Sequence, residues 1–405
     1  MNDFKIKKKI LLIHHSGLMG GAGLSLYNTW IELNKHYDVV CYIPDDPGEL
    51  LNFLKSKGLS PKTFNYRLGK ITYYSGGNGL LNLKFWYHSF KILFHKNRWI
   101  NIIKNEKPDL VILNAIVLCW FSLILKKYKS VIFVRETVRG SRGSFMNVII
   151  SKLLDKFTLV SFLSNYDKDI WSLVRAKSVV THDFMEYESF TQLNTKYKSS
   201  QDLKLNPNAF NVVFVGGINR IKGSEIIVNA FKHLKSENIN LIIAGNNPGL
   251  LSFSSFSEFI NSIIHFKSKY YHHNIISIIK KNSLTNKISY IGVQNNIRKV
   301  FDASDLLVIP MVEAHQARPV FEFGCQKKPI IITNFSNIKE FVKNGFNGLT
   351  FNVGDDLDLA KNIKTLYSNN ILYRNLGNNN HLNSIKNHKR NIVMGKLLKD
   401  IDSVI

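Results

Sequence analysis

At 405 residues and 45% hydrophobic, the chain is long enough for two or three domains and too apolar to be disordered. Fifty-four Lys and Arg against 29 Asp and Glu give a formal charge of +25, a field that attracts nucleic acid, anionic lipid or phosphorylated substrates. Lysine is over-used along the whole chain, so the charge by itself selects none of these. The three cysteines, Cys41, Cys119 and Cys325, are scattered. They exclude a disulfide framework and a zinc spacing, and they point to a reducing, cytoplasmic compartment.

The basic N-terminus leads into an apolar run at residues 10–13, too short for the core of a signal peptide. Residues 9–14 read as a strand, followed by a glycine-rich turn and a helix over 24–34. A second strand is predicted at 38–43. Residues 81–104 read as a helix carrying Lys84, Lys91, His95 and Arg98 within about 60° of one another. Trp86, Phe90, Leu93 and Ile100 lie on its other side, with Phe85, Ile92 and Trp99 further round. The apolar stretch 110–125 is interrupted by Asn114 and falls short of the roughly 20 residues needed to cross a bilayer. A buried strand followed by a buried helix accounts for it. Further strands are predicted at 130–134 and 159–162.

Residues 194–208 are polar and aperiodic, as an interdomain linker would be. Alternation then restarts with strands at 211–215 and 240–244 around a helix over 223–234, in which Ile226, Ile227, Ala230, Phe231 and Leu234 share one face. Strands at 288–291, 306–309 and 329–333 complete the pattern. The expected architecture is α/β, two Rossmann-like doubly wound domains facing each other across a cleft. The expected boundaries are 1–193 for the first domain, 194–208 for the linker and 209–380 for the second domain. A helical segment, 381–405, is expected to pack back on the first domain. Ligands in such folds sit beyond the carboxyl ends of the strands.

Three stretches carry chemistry there. His15 to Gly23 places Gly20 and Gly21 at a strand-to-helix turn, where backbone can approach a phosphate. Val213 to Ser224 repeats the device with Arg220, Lys222 and Gly223. Two cations beside the positive end of a helix dipole are unfavourable unless an anion joins them, and a diphosphate suits. Residues 306–333 run from a buried strand through a loop bearing Glu313, His315 and Arg318 into a helix started by Pro319, with Glu322 in its first turn.

Together these stretches resemble the family-4 retaining glycosyltransferases, of the GT-B fold and the glycosyl transferases group 1. The resemblance covers residues 211–351 well, and the first domain at its opening turn. It implies that Lys222 and Gly223, helped by Arg220, hold the diphosphate of a nucleotide-sugar donor. It also implies that Glu322 binds the donor ribose, that Gly20 and Gly21 approach the donor phosphate and sugar, and that Arg318 belongs to the donor loop. The family separates its paired glutamates by seven residues, whereas Glu313 and Glu322 are separated by eight. Ala314 therefore falls on the first-glutamate position, and either Glu313 or His315 takes the catalytic role beside the sugar. Ile218 stands where the family often has arginine, and Asn114 where it often has histidine. No metal and no cofactor are expected. Asp45-Asp46 and Asp355-Asp356 lie outside the donor loops, where surface turns account for them.

The activity implied is metal-independent, hexosyl-type transfer to a saccharide acceptor carried on a lipid, in surface polysaccharide synthesis. The basic helix suits a protein resting peripherally on the inner, anionic face of the cell membrane. One rival is a sugar-nucleotide epimerase built on the same fold. A second is a basic polyanion-binding protein, for which no specific nucleic-acid motif is present.

Overall fold

The computed structural model describes residues 7–65, 91–136, 145–191, 194–246, 270–315 and 317–405. Residues 7–184 and 390–405 of these make one compact domain, and residues 185–389 make the other. Each domain is built on a sheet whose strands all pair in parallel.

The first sheet contains β1 (Lys9–Ile13), β2 (Asp38–Pro44), β3 (Lys62–Phe64), β4 (Leu110–Leu113), β5 (Ser130–Val134), β6 (Leu159–Phe162) and β7 (Ser178–Val180), in the order 3-2-1-4-5-6-7. β4 is apolar at every position, and β1 and β5 at all but their first, because both faces are covered. Ile10 and Leu12 of β1 join Leu110 and Ile112 of β4 in one core, while Leu11 and Ile13 join Val111 and Leu113 in the core on the opposite face. Period-two alternation thus sorts one continuous apolar run into two cores.

The second sheet contains β8 (Phe210–Val215), β9 (Ile239–Ala244), β10 (Ile288–Gly292), β11 (Leu306–Ile309), β12 (Ile330–Thr333) and β13 (Leu349–Phe351), in the order 10-9-8-11-12-13. The same sorting recurs. Val212, Phe214, Leu306 and Val308 pack on one face, and Val213, Leu307, Ile330 and Ile332 on the other. In each sheet the strand order reverses beside the first strand, between β1 and β4 and between β8 and β11. Such reversals open a crevice at the carboxyl ends of the two strands.

The domain boundaries differ from the expected ones. Residues 194–208 are part of the second domain rather than a free linker. Thr195 caps the helix Lys196–Asp202 by accepting from the Lys198 N–H at 3.2 Å, and Lys196 Nζ donates to Asp305 at 2.6 Å. Leu205 is buried in the same core as Val213 and Phe301. A short capped surface helix is polar for the same reason a linker is, so composition could not separate them.

At the other end, the helix Asn370–His388 stays with the second domain, where a Cβ on Gly377 would meet the Lys327 carbonyl oxygen at 2.2 Å. The chain joins the first domain at Arg390, not at residue 381. The helix Arg390–Asp402 then buries Val393, Met394, Leu397 and Ile401 against Leu26, Trp30 and Leu33. Arg390 pairs with Glu32 at 3.2 Å, and Tyr37 donates to Asp402 at 2.6 Å.

Of the basic segment expected at 81–104, residues 81–90 lie outside the described residues, and with them Lys84, Phe85, Trp86 and Phe90. Residues 91–94 are helical, His95 is a turn, and Lys96–Glu106 is a helix. Ile92, Trp99 and Ile103 are buried in the first domain, whereas Phe94 is 84% exposed and Arg98, four residues further on, is exposed as well. Among the described residues no helix is long and apolar enough to cross a membrane. The stretch at 110–125 is β4 followed by the buried 3-10 helix Ile116–Leu123.

Truncating a buried branched side chain removes its transfer energy and leaves a cavity, at a cost of roughly 2–5 kcal/mol. Leu397→Ala and Ile401→Ala should each lower the stability of the first domain by that amount in urea titrations. The transition of the second domain should stay where it is in both variants.

Candidate functional site

The second domain places two loops of the sequence reading together at the β8/β11 reversal. After β8 the chain turns through Gly216 to Gly223 before the helix Ser224–Ala230. Asn219 builds this turn. Its Oδ1 accepts from the Ile221 and Lys222 N–H groups at 2.9 and 3.2 Å, and Ser224 Oγ donates to its carbonyl at 3.2 Å. Gly223 has φ +81°, and a Cβ there would lie 1.7 Å from the Pro310 carbonyl oxygen at the end of β11. The Val312 N–H donates to the Ile221 carbonyl at 2.9 Å. The β8 turn and the β11 loop therefore form one rigid body, fixed by a backbone contact that only glycine permits.

Lys222 leaves this turn and its Nζ lies 2.7 Å from His315 Nε2, while His315 Nδ1 lies 2.7 Å from the Glu313 carbonyl oxygen. Asn337 Nδ2 donates to the His315 carbonyl at 3.1 Å, anchoring the loop from below. Burial lowers the pKa of Lys222. Burial, followed by the charge of Lys222, pushes His315 down to about 4. Three residues on, Arg318 Nε donates to Glu322 Oε1 at 2.5 Å, both side chains largely buried at the start of the helix Pro319–Gly324.

Arg220 stands elsewhere. It lines a cavity of about 240 Å³ with Glu225, Asn229, Tyr271, Val312 and Asp356, a lining that includes neither Lys222 nor His315. Tyr271 accepts from the Glu225 N–H at 3.1 Å and bonds Ser224 Oγ at 3.1 Å, so one of the first N–H groups of the helix is already partnered. Asp356, set aside on sequence as a surface-turn residue, thus lines the same cavity as Arg220. Its neighbour Asp355 caps the helix Asp356–Ser368 by accepting from the Asp358 N–H at 2.9 Å.

The first domain assembles a second polar cluster at the β1/β4 reversal that the sequence reading largely missed. Arg135, just past β5, donates to Asn114 at 2.6 Å, Ser25 at 2.7 Å, Thr29 at 3.0 Å and Asp183 at 3.0 Å. Because Asn114 Oδ1 accepts from arginine, its amide nitrogen faces His14 Nδ1 at 3.0 Å. Burial lowers His14 well below its ordinary value and takes His15 to about 4. Burial raises Glu136 to about 7, although one of its oxygens accepts the N–H groups of Ile116 and Arg135. The available signal was an Arg-Glu pair directly after a β-branched strand, at the sheet edge where ligands gather. Gly20 and Gly21 start the helix Gly21–His36, with open space around both positions.

Residues 195–382 match the family model described as Glycosyl transferases group 1. Among curated proteins, the chain is similar to N-acetyl-alpha-D-glucosaminyl L-malate synthase of Bacillus anthracis, at 22% identity over 60% of this chain and 58% of that one. It is also similar to an uncharacterised glycosyltransferase of Methanocaldococcus jannaschii, at 25% identity over 57% and 52%. The chain thus spans little more than half the length of these relatives. Among solved structures, HepE of Anabaena in complex with UDP and glucose superposes with a TM-score of 0.75 at 16% identity, covering 98% of this chain and 100% of that one. Sucrose-phosphate synthase of Thermosynechococcus elongatus does so with 0.71 at 15%, covering 98% and 100%. The fold is that of the GT-B glycosyltransferases, with two Rossmann-like domains.

Three outcomes follow from this geometry. Gly223→Ala should displace the turn from Pro310 and destabilise the second domain well beyond the roughly 1 kcal/mol of a surface change, measured by urea titration. Arg135→Leu removes hydrogen bonds to Asn114, Ser25, Thr29 and the half-buried Asp183 and should cost the first domain about 1–3 kcal/mol in urea titrations. His315, with an ordinary pKa of 6.5 in the unfolded chain and about 4 in the fold, binds fewer protons when folded between those values. Its contribution is present above pH 6.5 and is lost as pH falls towards 4. His315→Gln should therefore flatten the acid slope of stability of the second domain.

Proposed function

We propose that the chain transfers a sugar from a nucleoside-diphosphate donor to a saccharide acceptor, with the donor held at the β8/β11 reversal. The observation that carries this is the half-buried Lys222, fixed on a glycine turn that is locked to the loop bearing Glu313 and His315. The match of residues 195–382 to the group 1 family supports it. So does the binding of UDP and glucose by the Anabaena protein of like fold.

In this reading the leaving nucleoside diphosphate gains negative charge as the glycosidic bond breaks. Lys222 and the turn's backbone stabilise that charge from positions set before the reaction. Arg318 orients the Glu322 carboxylate towards the donor ribose, and Glu313 faces the donor sugar. Arg220 leaves the same turn as Lys222 towards its own cavity. In this reading Lys222 and the turn's N–H groups meet the leaving charge without a divalent metal. Retention at the sugar carbon and membership of family 4 follow from the resemblance of the donor loops. A lipid-linked acceptor in surface polysaccharide synthesis fits a segment that exposes both Phe94 and Arg98, which suit a peripheral contact with the anionic cytoplasmic membrane face.

A ligand at 100 times its Kd adds about 2.7 kcal/mol of stability. Thermal-shift titrations with UDP, GDP, ADP and their sugar conjugates should find one nucleotide that stabilises wild type with EDTA present and fails to stabilise Lys222→Ala. Stabilisation that needs a divalent ion would contradict the metal-free account. Interconversion of a nucleotide sugar without any acceptor would replace transfer by epimerisation.

A further inference from the structure

We propose that His315 is a positioning residue for Lys222: its neutral ring holds the lysine ammonium ready for the donor diphosphate and exchanges no proton during transfer. This rests on the donor-site reading above and assigns the part that His315 plays within it.

The two contacts of the ring admit one arrangement. The Glu313 carbonyl oxygen, 2.7 Å from Nδ1, can only accept, so Nδ1 bears the hydrogen. Nε2 then carries a lone pair, and the Lys222 ammonium 2.7 Å away donates to it. A ring protonated on both nitrogens would set an N–H against the ammonium at that distance. The alternative neutral tautomer would set a lone pair against the carbonyl oxygen. The ring itself is held by its own carbonyl, which accepts from Asn337, and by the pairing of Val312 with Ile221 that joins the two loops.

The consequence concerns the lysine rather than the histidine. A free lysine samples many rotamers and must be ordered when an anion arrives. Here one of the three ammonium hydrogens is spent on Nε2, which fixes the stem and leaves two hydrogens for phosphate oxygens. Charge fixed before the leaving group departs stabilises it without reorganisation. With Nδ1–H on the Glu313 carbonyl and Nε2 on the ammonium, the ring must give up the lysine before it can take a proton from anything else.

Glutamine can place an oxygen near the position of Nε2 and so still accept from Lys222. Asparagine can keep the donor to the Glu313 carbonyl but falls short of the lysine. Isothermal titration should be run on wild type, His315→Gln, His315→Asn and Lys222→Ala, with whichever of UDP, GDP or ADP binds best and with the matching nucleoside. Expected are a nucleoside-diphosphate Kd within about threefold of wild type for His315→Gln and about tenfold or more weaker for His315→Asn. Nucleoside affinity should be the same in all four, and His315→Asn combined with Lys222→Ala should be no weaker than Lys222→Ala alone. Nitrogen-15 NMR of the ligand-free protein should show the Nδ1–H tautomer of His315. Diphosphate affinity unchanged in His315→Asn, equal losses for diphosphate and nucleoside, or an Nε2–H ring would each overturn the positioning role while leaving the donor site standing. Wild type that binds none of the three nucleotides would overturn the donor site itself, and the positioning role with it.

Discussion

The contact on which the second domain's site depends is the approach of Gly223 to the Pro310 carbonyl, at a separation no side chain would allow. A parallel sheet whose order reverses between β8 and β11 leaves a crevice at their carboxyl ends. Into that crevice both strands send loops, and without the glycine the loops would be held apart. With it, the turn locks onto the β11 loop through the Val312–Ile221 hydrogen bond, and Lys222 comes within reach of His315. Gly217, at φ +61°, repeats the device against Asn246, where an added Cβ would sit 2.1 Å from a carbonyl oxygen. Backbone that packs this tightly can aim N–H groups and a cation together, which is what a diphosphate requires.

The formal +25 is distributed through both domains, and many of its cations have structural work inside them. Lys328 is half-buried with its Nζ donating to the carbonyls of Phe301 at 2.7 Å and Ser304 at 2.5 Å, closing the end of the helix Ile297–Asp302. Burial lowers it to about 8. Lys9 and Lys62 both pair with Glu106, at 3.1 and 2.6 Å, and with Tyr42 they hold its carboxyl down at about 2. Arg135 and Arg390 clamp helices of the first domain to their neighbours. Lys222 differs from these in pairing with a neutral ring instead of an anion, so its charge is not cancelled by its partner.

Strands β4, β5, β6 and β11 were legible residue for residue, because a buried parallel strand is a short apolar run with nothing else to be. β3 and β7 were missed: each has three residues at a sheet edge, with too little burial to leave a pattern. The helix at 196–202 was taken for a linker because its capping threonine and exposed lysines carry the same composition as a loop. Within the two loops, Lys222, Gly223, His315 and Arg318 stand out in sequence because charge beside glycine or proline at a strand end has few structural uses. Their pairing was not visible. Nothing in the spacing told that Lys222 would meet His315, that Arg220 would turn to another cavity, or that Asn219 and Asn337 would hold the loops. The Lys222–His315 contact joins segments 93 residues apart, which spacing cannot foresee, and Arg135 was missed for the same reason.

The account turns on where a diphosphate lies, and a crystal structure of the protein soaked with its preferred nucleoside diphosphate tests that directly. The account predicts phosphate oxygens within about 3 Å of Lys222 Nζ and of backbone N–H groups of the 216–223 turn, with His315 still bonded to the Glu313 carbonyl. A nucleotide bound with its phosphates elsewhere, and Lys222 unmoved on His315 without touching it, would contradict it.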